Sequence, residues 1–291
     1  MNSNHIVYLL TLAELAASIL VLGVMQYRRQ VAQFKPLALL LLVRISTIAI
    51  SLPLLEMSGK QIGRILAYNI YFYVYWTSYA LEAILGFFII YAIYNLAMAP
   101  LKGLQRLGML MFRWAAGIAV AIATTMAFGP HVTSVKFVMR AVTQLQQTQS
   151  VLTLCMLLFV CMAIRPMGLS YRSKIFGVSL GLGILAATDL VIAAWIANLK
   201  SIYNLESIIS GSVVVLTLFI WGSYLAIPEP RRRMIILPTT SPFLRWNQIS
   251  LALGDEPGYV ALGDITPDMF APAEVEVMHR AAVRMNYPIA N

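Results

Sequence analysis

The feature that most constrains this chain is a series of uninterrupted apolar blocks, at 6–26, 36–55, 68–97, 110–128, 147–164, 175–198 and 206–227. Each is bounded by charge, proline or glycine. A helix needs roughly 20 apolar residues to cross the ~30 Å hydrocarbon layer. A closed barrel is the other permitted spanning structure, but its strands would alternate at period two. These blocks do not alternate. Charged residues make up 11% of the 291 positions and apolar ones 60%, against about 25% charged in soluble domains. The expected fold is therefore an all-α integral membrane protein, a bundle of about seven transmembrane helices. The third block is long enough to tilt or to extend past the bilayer. The fifth is the least sharply bounded, because Gln144, Gln146, Gln147 and Gln149 precede or overlap it. That polar stretch reads as a helical extension outside the layer.

Lys and Arg in alternate connections set the expected orientation. One set holds Arg28, Arg29, Lys35, Lys102, Arg106, Arg165, Arg172, Lys174, Arg231, Arg232 and Arg233; the other holds Lys60, Arg64, Lys136, Arg140 and Lys200. Eleven against five places the N-terminus outside and the C-terminus in the cytoplasm. The first block lacks a preceding basic region and is followed by Arg28 and Arg29, so it reads as an uncleaved span rather than a signal peptide. The expected location is a bacterial inner (cytoplasmic) membrane, multi-pass. The net charge of +9 then reflects topology and contact with anionic lipids of the inner leaflet. Its basic residues are spread over separate loops, which argues against nucleic acid as a partner. Cys155 and Cys161 lie six apart in one block, a spacing that does not place them face to face on a helix. They read as buried free thiols.

Charged groups within spans are costly and usually face the bundle interior. Four clear cases here are Glu14, Arg44, Glu82 and Asp189, with Glu206 at the outer end of the seventh span. At the helical rise the four lie roughly 13–20 Å below the outer ends of their spans, which is one mid-membrane layer. One reading is a structural clamp, with Arg44 held by one or two carboxylates and Glu14–Arg44 the favoured pair, since consecutive helices are usually neighbours. The other is a site: three acids against one Arg leave two carboxylates to take up protons, a cation or a cationic ligand. Aromatic residues crowd the outer part of the third block, more densely than interfacial anchoring requires. Among them Tyr71, Tyr75, Trp76 and Tyr79 are candidates for an outer aromatic pocket. Gly177 and Gly181 form a G-x-x-x-G pair, and Ser207 and Gly211 a small-x-x-x-small pair; both suit close helix packing, within the bundle or in a homo-oligomer.

Several chemistries lack their residues. His5, His131 and His279 lie outside the spans or at their edges, so haem ligation in the membrane has no ligand pair. The seventh span has no lysine for a retinal Schiff base. H-E-x-x-H and G-x-x-x-x-G-K-[ST] are absent. The chain is expected to be no enzyme and to hold no metal and no cofactor. Transport remains as an alternative, a transporter or channel using the Glu/Asp/Arg layer for proton or cation coupling. The broken helices and halved repeats of many transporters find no convincing counterpart beyond Gly86 and Gly181–Gly183.

After Pro228 the apolar pattern stops. The segment 228–291 is expected to be a cytoplasmic tail in which Ala252-Leu253-Gly254-Asp255 recurs as Ala261-Leu262-Gly263-Asp264. Gly and Asp in each copy read as turn residues, and a short helix is expected near 272–285, with Pro272 in its first turn. The seven spans, the aromatic third span entering Glu82-Ala83-Ile84-Leu85-Gly86, and the basic exit Pro228-Glu229-Pro230-Arg231-Arg232-Arg233 resemble the seven-helix, N-outside sensor regions found ahead of bacterial histidine kinase and cyclase domains. The resemblance covers about 1–233 and implies a sensory or relay module. The tail differs from a kinase core in its length and in lacking a phosphoacceptor histidine motif. The expected function is thus a non-enzymatic binding or relay protein, sensor-like or an accessory or scaffold subunit of a membrane complex. Its partner would be a membrane or cytoplasmic protein bound through 228–291.

Overall fold

The computed structural model describes residues 3–57, 63–99, 102–127, 134–163, 170–198, 203–228 and Arg245. The turn repeats at 252–264, the helix expected near 272–285 and the basic run 231–233 lie outside the described residues. Among the described residues the protein is helical and has no strand. Seven helices follow in order: α1 (Ser3–Tyr27), α2 (Lys35–Met57), α3 (Arg64–Ala97), α4 (Lys102–Ala127), α5 (Ser134–Ala163), α6 (Lys174–Asn198) and α7 (Tyr203–Ala226). Six of them are long and apolar enough to cross a membrane; in α4 the apolar stretch, Gly108–Ile122, is shorter.

Two boundaries depart from the expected spans. At its N-terminal end α4 begins at Lys102, taking in Lys102 and Arg106 ahead of its apolar run. α5 begins at Ser134 rather than near 147. Glutamine is a good helix former, and Gln149 and Ser150 are buried against neighbouring helices. The glutamine stretch is therefore part of the bundle wall, not an extension outside it.

The six long apolar helices close a ring in the order α1, α2, α3, α5, α6, α7 and back to α1, while α4 packs outside it against α5 and α3. Contacts give the directions. Leu10 faces Gly211 and Val21 faces Gly222, so α1 and α7 run parallel. Gly86 faces Gln149, and the rings of Tyr94 and Phe159 lie 5.4 Å apart, so α3 and α5 also run parallel. Between them α4 runs back: Tyr94 meets Gly108 and Tyr91 meets Phe112. We call the end where α1 begins the upper end.

The apolar core fills the lower half. Met25, Phe34, Leu41, Ile93, Leu218 and Trp221 are almost fully buried there. Small residues permit this packing: Gly177 lies against Tyr224, and Gly181 against Trp221 and Thr217, so the G-x-x-x-G face joins α6 to α7 within one chain. Trp221 donates its indole N–H to the Val178 carbonyl at 3.3 Å. At the lower rim Arg29 takes a left-handed backbone with φ 55°, a region that most side chains enter only at a cost. Its turn lets Gln30 N–H reach the Met25 carbonyl at 2.9 Å. Arg28 and Gln30 then donate to the Ala226 and Leu225 carbonyls of α7 at 2.8 and 3.2 Å. These are C-terminal helix carbonyls that otherwise lack partners.

Candidate intramembrane site

Above the core the helices meet around polar side chains. Arg44 on α2 is the hub of the first group. Its Nε and one terminal nitrogen donate to Glu82 Oε2 at 3.1 and 3.0 Å, and its other terminal nitrogen donates to Glu14 Oε1 at 3.2 Å. The clamp thus joins α1, α2 and α3. About a sixth to a fifth of each of the three side chains is exposed (16–20%). One turn further up, the hydroxyls of Thr47 and Ser78 lie 2.6 Å apart and tie α2 to α3 again.

Asp189 on α6 is not part of that clamp. Its Oδ2 accepts from Gln146 Nε2 at 3.3 Å and from Ser150 Oγ at 3.5 Å, both on α5. Both donors are neutral and both distances are long for a carboxylate acceptor. Among the described residues, no Lys, Arg or His lies within ion-pair distance of Asp189. Gln146 Oε1 is buried and has no hydrogen-bond partner among the described residues.

A cavity of about 130 Å³ separates the two groups, walled by α2, α3, α5, α6 and α7. Arg44, Glu82, Gln146, Gln149, Ser150 and Asp189 form much of its polar wall, and Leu40, Leu182, Leu185 and Val214 its apolar wall. Gly86 on α3 makes room for Gln149: a Cβ there would stand 2.5 Å from Gln149 Nε2. Gln149 in turn donates to Thr153 Oγ1 at 2.9 Å.

The expected layer is therefore two clusters facing one cavity. Glu14, Arg44 and Glu82 come together; Asp189 stands on the opposite wall; Glu14 supports Arg44 from behind and does not line the cavity. The aromatic candidates form a ladder along α3. Tyr71, Tyr75 and Tyr79 stack at 6.1 and 6.0 Å, with Trp76 set edge-on to Tyr75 and Tyr79. Of these four, Tyr79 lines the cavity. Gly211 packs on Leu10 of α1. Cys155 and Cys161 are exposed on the bundle surface rather than buried, because the ring turns that face of α5 outward.

The residues not singled out from sequence are Gln146, Gln149 and Ser150. The available signal was a polar run at the start of an otherwise apolar helix. By itself that signal points outside the layer, because no periodicity marks which side of a glutamine-rich helix is buried.

No protein family, no curated protein and no solved structure matches the chain.

Proposed function

We propose that this protein is a non-enzymatic membrane receptor or relay that binds a small solute in the interhelical cavity and passes its state through α7 to the segment that follows. The observation that carries this reading is the partly polar cavity of about 130 Å³ placed directly above an apolar core. α7 contributes Ser210, Val213 and Val214 to the cavity wall. The lower end of the same helix is held by Arg28 and Gln30. A change of packing at the wall thus has a rigid element leading away from it.

In this reading α4 is a seventh span. α3 and α5 run parallel, so the chain must return along the bundle between them, and 26 residues of α4 give about 39 Å of helix. An odd number of spans puts the two termini on opposite sides. The Lys and Arg count puts α1's start outside and residues 228–291 in the cytoplasm, where a protein partner and anionic lipids would meet them. The membrane is then a bacterial inner membrane.

The test uses a spin label at Ile227→Cys in a Cys155→Ser/Cys161→Ser background, with Ala186→Leu to fill the cavity. Filling is expected to change label mobility, while Leu158→Phe on the exposed face of α5 leaves it unchanged. Equal spectra for the filled and unfilled cavity would sink the relay. A second reading, proton or cation transport, draws support from carboxylates on three helices around one layer. Solute flux by the lone protein in liposomes, with no tail-dependent partner recovered from native membranes, would favour it over the relay.

A further inference from the structure

The chemistry of the cavity wall narrows its ligand. Rim to rim, the first cluster carries its own cation: Arg44 spends its Nε and both terminal nitrogens on Glu82 and Glu14. The opposite wall carries Asp189, which no cation contacts among the described residues and which Arg44 faces only across the cavity. Asp189 accepts two long bonds from neutral donors, and a carboxylate in an apolar setting is costly unless a positive charge or strong donors meet it. Beside it Gln146 Oε1 is a buried acceptor without a donor among the described residues. These two groups ask for a ligand that is positive and also carries N–H donors. The rest of the wall asks for carbon: Leu40, Leu182, Leu185 and Val214 supply apolar surface, and Tyr79 an aromatic ring. The volume, about 130 Å³, is near that of an engineered cavity of about 150 Å³ that holds benzene. An ammonium group on a short hydrocarbon chain satisfies each demand at once.

We infer that the cavity binds a small protonated primary alkylamine, with Asp189 as its counter-ion, Gln146 Oε1 as a second acceptor, and the hydrocarbon chain against the leucines and Tyr79. This rests on the reading of the cavity as a ligand site. It assigns the two clusters different work: Glu14–Arg44–Glu82 holds three helices together, and Asp189 recognises the ligand. Sodium has the charge without the hydrocarbon. A quaternary ammonium has charge and hydrocarbon without N–H donors.

The full chain in nanodiscs of neutral lipid is titrated by calorimetry with n-butylammonium, with its N,N,N-trimethyl derivative and with sodium at constant ionic strength. Butylammonium is expected to bind at one saturable site. Trimethylation should weaken it by about ten- to hundredfold, the worth of hydrogen bonding to a charged group. Asp189→Asn should weaken butylammonium by a similar factor, whereas Arg64→Ala should leave it unchanged. The methylation series needs no variant, so the inference stays testable even where Asp189→Asn fails to fold. Trimethylbutylammonium or sodium binding as tightly as butylammonium overturns the inference, as does full affinity in folded Asp189→Asn or absence of saturable binding. The label at Ile227→Cys separates the two claims. Butylammonium that binds without moving the label refutes the relay and leaves the amine site standing. A label that responds to filling the cavity with Ala186→Leu, in a protein that binds no alkylammonium, refutes the amine site and leaves the relay standing.

Discussion

The lower and upper halves of the bundle are built on different physics. Below the level of Leu40 and Val214 the contacts are between large apolar side chains, Met25, Phe34, Ile93 and Trp221 among them, brought close by Gly177 and Gly181. In lipid there is no hydrophobic gain in pressing helices together, so close van der Waals packing and hydrogen bonds carry association. The lower half uses the first. The upper half uses the second: an arginine bridging two glutamates, a Thr–Ser pair, and a Gln–Asp–Ser cluster. It also leaves space unfilled. A packed end resists change, and a polar end with a cavity can respond to an occupant. The difference places apolar packing low in the bundle and a polar clamp beside a recognition cavity at its middle.

Five substitutions break or sharpen this contrast. Arg44→Ala should be the most damaging, at about 4 kcal/mol, because it leaves two partly buried glutamates without a counter-charge; Glu82→Gln should cost less. Unfolding in detergent, followed by helical signal against denaturant, checks it. An Arg44→Ala protein as stable as one carrying Arg64→Ala would dissolve the clamp. Trp221→Ala should cost about 3 kcal/mol by the same assay, through lost packing on Gly181 and the lost bond to Val178. A negligible loss would show that apolar packing does not hold the lower half together. Ser78→Ala should cost about 0.6 kcal/mol, the mean found for interhelical hydrogen bonds in a membrane protein. Asp189→Asn should shift stability least, by under about 0.5 kcal/mol, since an isosteric amide still accepts from neutral donors. A large loss there would make Asp189 a structural residue and erase the division of labour between the two clusters.

The Glu14, Arg44, Glu82 and Asp189 layer was legible because an ionisable group inside a twenty-residue apolar run is costly wherever it points. Which of them pair was not. Equal depths along separate helices do not say which helices adjoin, and the favoured Glu14–Arg44 pair is one arm of a triad whose stronger arm is Glu82. Tyr79 stood out only as one of four candidates for an outer aromatic pocket. Its place in the cavity wall follows from sharing a face with Glu82, one turn away on α3.

The apolar run lengths alone determined that the chain is helical and built for a membrane, because a backbone in hydrocarbon must satisfy its own hydrogen bonds within each segment. That is a local requirement, and local sequence carries it. Only the tertiary structure decided that α3 takes α5 as its neighbour in the ring while α4 packs outside, that α1 closes on α7, and that Gln146, Ser150 and Asp189 face Arg44 across one cavity. Those outcomes depend on which small residues meet which large ones between distant segments, as Gly86 meets Gln149 and Gly181 meets Trp221. Apolar surfaces in lipid are nearly interchangeable until their shapes are fitted together.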